Sequence, residues 1–260
     1  MPTIPQQASL AFERHGTGVP IVLLPGLTFD RRSWGPIVDR LGEHLSTIAI
    51  DLPAHGASAG PPCDLEDVAR QVHRLLDSLD VVDPIVVGHS MSGAIAMIYA
   101  AFYPVRGAVI IESPVDLRPF AGMVQHLEPA LRGDGFADAF APFERSMGLD
   151  LVPEALRTPA LDAHEVRREV VVGYWDQLMR SDADELQAWV EEIARRIGVP
   201  CLAVFGQRLS PEERDYLRRL VPRVQIEEWP GRGHFVHLAE ADRFAERLLA
   251  FVEHCDRDRS

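Results

Sequence analysis

The sequence predicts an α/β fold with a mostly parallel central sheet and helices on both of its faces. Short, wholly apolar segments rich in β-branched residues alternate along the chain with longer amphipathic segments. Continuous apolar strands are typical of parallel sheets, which are buried on both faces, and strand–helix alternation favours a sheet wrapped on both sides. One apolar strand, residues 85–87, stops at Gly88, and Ser90 and an apolar helix over residues 94–102 follow. That order predicts strand, sharp turn and helix, with Ser90 at the apex.

Length, composition and charge narrow the class of protein. The chain has 260 residues, 47% hydrophobic and 25% charged, enough for one substantial core and an inserted subdomain. A net charge of −13 argues against nucleic acid and anionic membrane surfaces as partners. No apolar run approaches the ~20 residues of a membrane span, and the N-terminus lacks a signal-peptide pattern. Cys63, Cys201 and Cys255 have spacings that fit neither a zinc site nor a disulfide framework. We therefore expect a cytoplasmic protein.

The remaining elements divide the chain into two regions. One strand is predicted from residue 20 to the Pro25-Gly26 break, and another begins at residue 47. Further strands are predicted at residues 10–14, 105–111, 199–206 and 224–229. Further helices are predicted at residues 34–45, 64–79, 211–220 and 239–254. Between them, residues 117–197 contain helical segments with many aromatic side chains. We interpret 117–197 as a helical cap inserted into a core made of 1–116 and 198–260.

The turn at Ser90 carries a family resemblance. Gly88-His89-Ser90-Met91-Ser92 resembles the nucleophile elbow Gly-x-Ser-x-Gly of the α/β-hydrolases, with serine in the place of the final glycine. The resemblance covers essentially the whole chain. It implies an α/β-hydrolase fold with a cap, and a nucleophilic role for Ser90.

The same resemblance implies an oxyanion hole made of backbone groups. In the family, the loop after the second strand usually begins His-Gly, and the next residue gives one N–H donor. Here Pro25 replaces that histidine and Gly26 stays, so Leu27 is the implied donor. The N–H of Met91, directly after the nucleophile, is the second implied donor. Gly26 is also a candidate for contact with the substrate.

A serine nucleophile needs a histidine base at the same edge of the sheet. His234, in a glycine-rich loop between the last strand and the last helix, fits where the family places it. His237 is the poorer alternative, because it is expected to begin the final helix. His55 lies in a loop that looks like a common family segment, and we interpret it, with Asp51 and Ser58, as structural.

The acid departs from the commonest family pattern. The loop after the strand ending at Gly206 contains no carboxylate in residues 207–210. Glu112 ends the strand that follows the elbow helix. This placement resembles haloalkane dehalogenases, coelenterazine luciferases and fungal zearalenone lactonases, of which only the lactonases also use serine. Glu112 is therefore the predicted acid, Asp116 is a rival, and a purely structural carboxylate remains the alternative for Glu112.

The motifs together predict a serine hydrolase that cleaves a carboxylic ester or lactone through an acyl-enzyme. The cap aromatics and the lack of clustered basic residues favour a hydrophobic, uncharged small-molecule substrate, with Tyr174 and Trp175 facing it. We expect neither a cofactor nor a metal, and we leave open a homodimer. The alternatives are a carbon–carbon bond hydrolase, a cofactor-free lyase, or a ligand receptor on the same scaffold.

Overall fold

A single, mostly parallel sheet forms the centre of the molecule. The computed structural model describes residues 10–114 and 116–258. Within these residues seven strands pair in the order β1-β3-β2-β4-β5-β6-β7, and only the β1–β3 pair is antiparallel. The strands are β1 (Phe12–His15), β2 (Val19–Leu24), β3 (Leu45–Ile50), β4 (Ile85–His89), β5 (Gly107–Ile111), β6 (Cys201–Phe205) and β7 (Val224–Glu228). The predicted fold class is confirmed.

Helices connect the strands and cover both faces of the sheet. In the described part of the chain they are α1 (Gly35–Leu41), α2 (Leu65–Ser78), α3 (Met91–Phe102), α4 (Arg118–Arg132), α5 (Phe136–Ser146), α6 (Glu154–Asp162), α7 (Arg168–Arg180), α8 (Ala183–Arg195), α9 (Pro211–Leu220), α10 (Val236–Ala239) and α11 (Ala241–Asp258). Short 3₁₀ helices lie at Arg31–Trp34, Gly42–His44 and Leu149–Leu151.

The central strands are apolar because both of their faces are buried. Every residue of β3, β4, β5 and β6 is buried. Alternate side chains enter two separate cores, as Val86 does on one face of the sheet and Val87 on the other. The register pairs Gly88 with Ile110, and Ile111 with Val204, so β4, β5 and β6 end side by side. Residues that directly follow these three strands therefore meet at one edge.

Two predicted helices differ from the structure. The helix predicted at 34–45 is α1 alone, with 3₁₀ turns on both sides, because Gly42 has a φ of 57° and ends the α-helix. The helix predicted at 239–254 is α11, which runs from Ala241 to Asp258, and a short helix that the sequence does not predict, α10, precedes it. Glu240 separates them with φ and ψ of −129° and 52°, outside the helical region.

Helices α4 to α8 occupy the segment between β5 and β6 that the sequence marks as a cap. α4 packs against α5, α7 and α8, and α8 also packs against α3 of the core. The division of the chain at residues 117 and 197 stays a prediction. Over the described ranges, no helix combines the length and the apolar character needed to cross a bilayer.

Candidate active site

Ser90 occupies a strained turn between β4 and α3. Its φ of 56° is in the left-handed region, which a non-glycine residue enters at a cost. Two backbone bonds hold it there: its own N–H donates to the carbonyl of Ile111 at 2.7 Å, and the N–H of Gly93 donates to the Ser90 carbonyl at 2.9 Å. The turn therefore presents the Ser90 side chain at the edge of the sheet, above the N-terminus of α3.

Glycines allow this turn to close. A Cβ atom on Gly88 would lie 1.9 Å from the carbonyl oxygen of Ser92, and one on Gly93 would lie 1.7 Å from Oγ of Ser113. The Ser113 hydroxyl also donates to the Ser90 carbonyl at 2.6 Å. The small residues predicted around the elbow are thus required by a contact across the turn at Gly88 and by a contact with the segment after β5 at Gly93.

His234 lies in the loop between β7 and α10, beside Glu112. The distance from His234 Nδ1 to Glu112 Oε2 is 3.7 Å, and both side chains are mostly buried. Ser90, His234 and Glu112 line one cavity. Within the described residues there is no hydrogen bond between the Ser90 hydroxyl and the His234 imidazole.

Glu112 follows β5 directly and is held across the ends of two strands. Like Ser90, it has a positive φ, 51°. Its N–H donates to the Val204 carbonyl at 3.0 Å, and its carboxylate accepts the N–H of Gly206. A Cβ on Gly206 would lie 2.0 Å from the carbonyl oxygen of Gly233, so the loops after β6 and β7 touch. This contact places a carboxylate from β5 within reach of the His234 loop, although residues 207–210 carry none.

The rival residues are placed differently. Asp116 holds Arg118 through its carboxylate, with Arg118 Nη2 at 2.7 Å, and hydrogen bonding from that guanidinium lowers the pKa of Asp116. His237 lies inside α10 and is buried at 2% exposure. His55 is also buried, and its ring bonds only to backbone groups of the described chain. Among the candidate acids and bases, Glu112 and His234 are the pair whose side chains lie next to each other.

The two implied oxyanion donors flank Ser90. Leu27 lies in the loop after β2, where a Cβ on Gly26 would come within 3.4 Å of Ser90 Cβ. Met91 is the first residue of α3, so its N–H has no partner inside the helix. Neither amide donates a hydrogen bond within the described chain. Two unpaired backbone donors are thus available next to the serine, at the positive end of a helix.

His89 supports the site in a way the sequence does not predict. Its Nε2 donates to the carbonyl of His234 at 2.9 Å, which fixes the hydrogen on Nε2. Burial first, then the neighbouring His237 and His234, lowers the pKa of His89 well below its usual value. His89 therefore stays neutral and ties the loop that carries His234 to the elbow.

The hydrogen bonds of His89, Ser92 and Ser113 are not predictable from the sequence. The first two stand at positions where the elbow motif leaves the residue free or expects glycine. Their partners lie 145 and 67 positions away, so no local pattern could reveal the bonds. The one local indication in the sequence is that Ser92 stands where the elbow motif has glycine.

A cavity of about 580 Å³ opens above Ser90. Aromatic side chains from the segment between β5 and β6 form much of its wall: Phe120, Phe140, Phe143, Tyr174, Trp175 and Trp189. The Tyr174 hydroxyl is already bonded to the Pro53 carbonyl at 2.9 Å, so Tyr174 offers the cavity its ring. Trp175 packs edge to face on Phe120, with ring centroids 5.5 Å apart. Gly26, Tyr174 and Trp175, the predicted substrate contacts, all line the cavity.

The cavity lining contains carboxylates but no guanidinium group among the described residues. Glu112, Asp116 and Glu213 line it, whereas none of its described lining residues is an arginine. Among the residues the structure describes, no group of three or more His, Cys, Asp or Glu side chains could hold a metal ion.

A serine on a strand–turn–helix elbow, beneath a cavity and beside a His–Glu pair, defines the class of site. The chain belongs to the alpha/beta hydrolase family, whose family model matches residues 21–247.

Two sequence relatives are similar over most of the chain. An uncharacterized protein of Mycobacterium tuberculosis is 33% identical over 270 residues, covering 94% of this chain and 78% of that protein. The dihydrolipoyllysine-residue acetyltransferase component of an acetoin cleaving system from Pseudomonas putida is 26% identical over 254 residues, covering 93% of this chain. The chain spans 65% of that relative's length, just under two thirds.

A solved structure shares the fold. A thermophilic esterase from Thermogutta terrifontis superimposes with a TM-score of 0.72 at 21% identity, covering 98% of this chain and 96% of that one. At this identity the likeness extends to the fold alone.

Proposed function

We propose that this protein is a serine hydrolase that cleaves a carboxylic ester or lactone of a hydrophobic, uncharged small molecule. The observation that carries the proposal is the convergence of Ser90, His234 and Glu112 on one cavity, with the Glu112 carboxylate 3.7 Å from His234 Nδ1. Membership of the alpha/beta hydrolase family supports a hydrolytic reaction. The esterase of similar fold is consistent with ester cleavage.

In the proposed mechanism, Ser90 Oγ attacks the acyl carbon while His234 Nε2 takes the hydroxyl proton. The Leu27 and Met91 N–H groups stabilise the oxyanion as the carbonyl electrons move onto oxygen. His234 then gives the proton to the departing alkoxide, which leaves as an alcohol. A water molecule, deprotonated by His234, attacks the acyl-enzyme and releases the carboxylic acid and free Ser90.

Glu112 is proposed as the acid of the triad, as in the zearalenone lactonases that the sequence resembles. A carboxylate at Nδ1 keeps the imidazole hydrogen on that atom and stabilises the imidazolium that forms. The Gly206 N–H on its other oxygen holds the carboxylate in place. Asp116 is already neutralised by Arg118, which argues against it.

The substrate class follows from the cavity wall. The aromatic side chains favour an apolar acyl or alcohol group, since each buried apolar Å² contributes roughly 25 cal/mol. Of the lining carboxylates, Asp116 is paired with Arg118, but Glu112 and Glu213 face no arginine among the described lining residues and so disfavour an anionic substrate. We further propose that residues 117–197 act as a cap that shields this cavity from water.

The proposal is tested by steady-state hydrolysis of p-nitrophenyl butyrate and of a zearalenone-type lactone. We expect wild-type turnover, a loss of at least about a thousandfold in kcat/KM for Ser90→Ala, and a similar loss for Glu112→Gln. The control Asp116→Asn should stay within about threefold of wild type, because the ion pair with Arg118 that it breaks is partly exposed and such pairs contribute little.

Two other outcomes would contradict the assignment of the acid or the proposed reaction. If Asp116→Asn is impaired and Glu112→Gln is active, the acid assignment is wrong. A wild-type enzyme that is inert on every ester and lactone refutes the proposed reaction. In that case carbon–carbon bond hydrolysis, a lyase step or ligand reception on this scaffold becomes the better account.

A further inference from the structure

We propose that Ser92 and His55 are positioning residues that hold loop 25–28 from its two ends, so that the Leu27 N–H stays directed at the oxyanion. The inference rests on the proposed function, because an oxyanion forms only if Ser90 attacks an acyl group. It assigns a role to two buried polar side chains that the proposed mechanism does not itself use.

The loop needs such support because its own geometry is strained. Thr28 has a φ of 70°, the left-handed region, although it is a β-branched residue. The Phe29 N–H closes the turn on the Gly26 carbonyl at 3.1 Å. A non-glycine residue held in this region is strained and persists only where its surroundings fix it. Without anchors, the loop would relax and move the Leu27 amide.

Ser92 anchors the first end. Its hydroxyl, which is fully buried, donates to the carbonyl of Pro25. Ser92 lies in the first turn of α3, so this bond ties the loop to the helix whose N-terminus carries the other oxyanion donor, Met91. A glycine, the residue the family motif expects here, could not make the bond.

His55 anchors the second end. Its Nδ1 donates to the Pro53 carbonyl at 3.0 Å, which leaves Nε2 as an acceptor for the N–H of Thr28 at 3.3 Å. Burial lowers the pKa of His55, so the ring stays neutral and keeps this acceptor. The bond falls on the residue with the strained φ, directly after Leu27.

The two bonds therefore bracket the Leu27 amide. Pro25 is two residues before it and Thr28 one residue after it. The Glu165 N–H also donates to the Thr28 carbonyl at 2.8 Å, so losing either side-chain bond loosens the donor without detaching the loop. Oxyanion donors act in the transition state and little in substrate binding, so the effect should appear in kcat. Complete removal of one donor costs about 10²–10³ in kcat; a loosened donor should cost about 10- to 100-fold.

The test uses p-nitrophenyl butyrate with Ser92→Ala, Ser92→Gly, His55→Leu and His55→Gln. We expect the first three to lose about 10- to 100-fold in kcat, with KM within about threefold. His55→Gln keeps an acceptor oxygen near the Nε2 position and should recover to within about fivefold of wild type. Affinity for butylboronic acid, which forms a tetrahedral adduct on the serine, should fall in parallel with kcat.

Thr47→Val is the matched control. Thr47 is fully buried on β3, and its hydroxyl donates to the His15 carbonyl at 3.4 Å, outside the site. This variant loses the same type of bond and should keep wild-type kcat. A purely structural role for Ser92 would make its variants behave like the control once folded, and that result overturns the proposal.

Hydrogen exchange separates this inference from the proposed function. In peptides covering residues 25–29, Ser92→Ala and His55→Leu should exchange faster than wild type and Thr47→Val. If wild type is inert on all esters but exchange rises as expected, the proposed reaction fails and the anchoring stands. Unchanged exchange in both variants refutes the anchoring, whatever the activity.

Discussion

His237 should make the protein sensitive to acid. The ring is 2% exposed, with the Trp34 and His89 rings 4.8 and 4.6 Å away between centroids. Its Nδ1 is buried without a hydrogen-bond partner among the described residues. Burial first, then the charge of His234, lowers the pKa of His237 to about 3.

The sign of the pH effect follows from linkage. An unfolded histidine has a pKa of about 6.5, so below that pH the unfolded chain binds a proton that the folded chain refuses. The free energy of unfolding therefore falls as pH drops from about 6.5 towards 3. At pH 5, about 1.5 units below the pKa of the unfolded histidine, proton binding stabilises the unfolded state by about 2 kcal/mol. For a chain of this size that corresponds to a fall in Tm of about 4–8 °C.

The perturbation is His237→Leu, measured by urea unfolding at pH 7.5 and pH 5.0. Wild type should lose about 2 kcal/mol more between these pH values than the variant does. Val236→Ala is the control: Val236 is a fully buried neighbour in α10, and its truncation should lower stability equally at both pH values. Equal pH dependence in wild type and His237→Leu would refute the reasoning, because His237 would then already accept protons in the folded state.

Three further variants test other parts of the account. Gly88→Ala puts a Cβ 1.9 Å from the Ser92 carbonyl oxygen, so it should disrupt the elbow and lower the free energy of unfolding in urea by over about 3 kcal/mol. Gly122→Ala, on the open surface of α4, is the control and should raise that free energy by about 0.5–1 kcal/mol. Equal effects of the two variants would contradict the elbow geometry. Asp51→Ala should lower the free energy of unfolding by about 3–5 kcal/mol, because the buried carboxylate accepts two backbone N–H groups and pairs with Arg31. A variant that is stable but inactive would instead give Asp51 a chemical role. Trp175→Leu should raise KM for p-nitrophenyl hexanoate about fivefold more than for the acetate, and equal changes would remove Trp175 from the acyl site.

Much of the fold could be predicted because its signals are local. The runs that became β2, β4, β5 and β6 are continuously apolar, which only a sheet buried on both faces requires. The elbow is likewise encoded in adjacent residues, since the contact that demands glycine at 88 is made with the Ser92 carbonyl, across a single turn. The contact that demands glycine at 93 is made with Ser113, which lies beyond β5. The position of Glu112 at the edge of the sheet could be predicted because it directly follows an apolar strand, which pairs with β4; its role as the acid stays a proposal.

The features that escaped prediction depend on distant partners. The Gly206–Gly233 contact, which brings the loops after β6 and β7 together, joins two loops whose sequences give no sign of it. The short helix α10 and its end at Glu240 lie in a sequence with good helix formers on both sides, so local propensity gives no sign of a separate helix there. The anchoring bonds of His89 and Ser92 are of the same kind.

The central claim is that Ser90 is an activated nucleophile with His234 as its base. The most direct measurement is intact-protein and peptide mass spectrometry after reaction with a fluorophosphonate, which phosphonylates activated serines. The account predicts one adduct per chain, on the peptide containing Ser90, and none in Ser90→Ala or His234→Ala. Absence of an adduct in wild type, or an adduct on another residue, would contradict it.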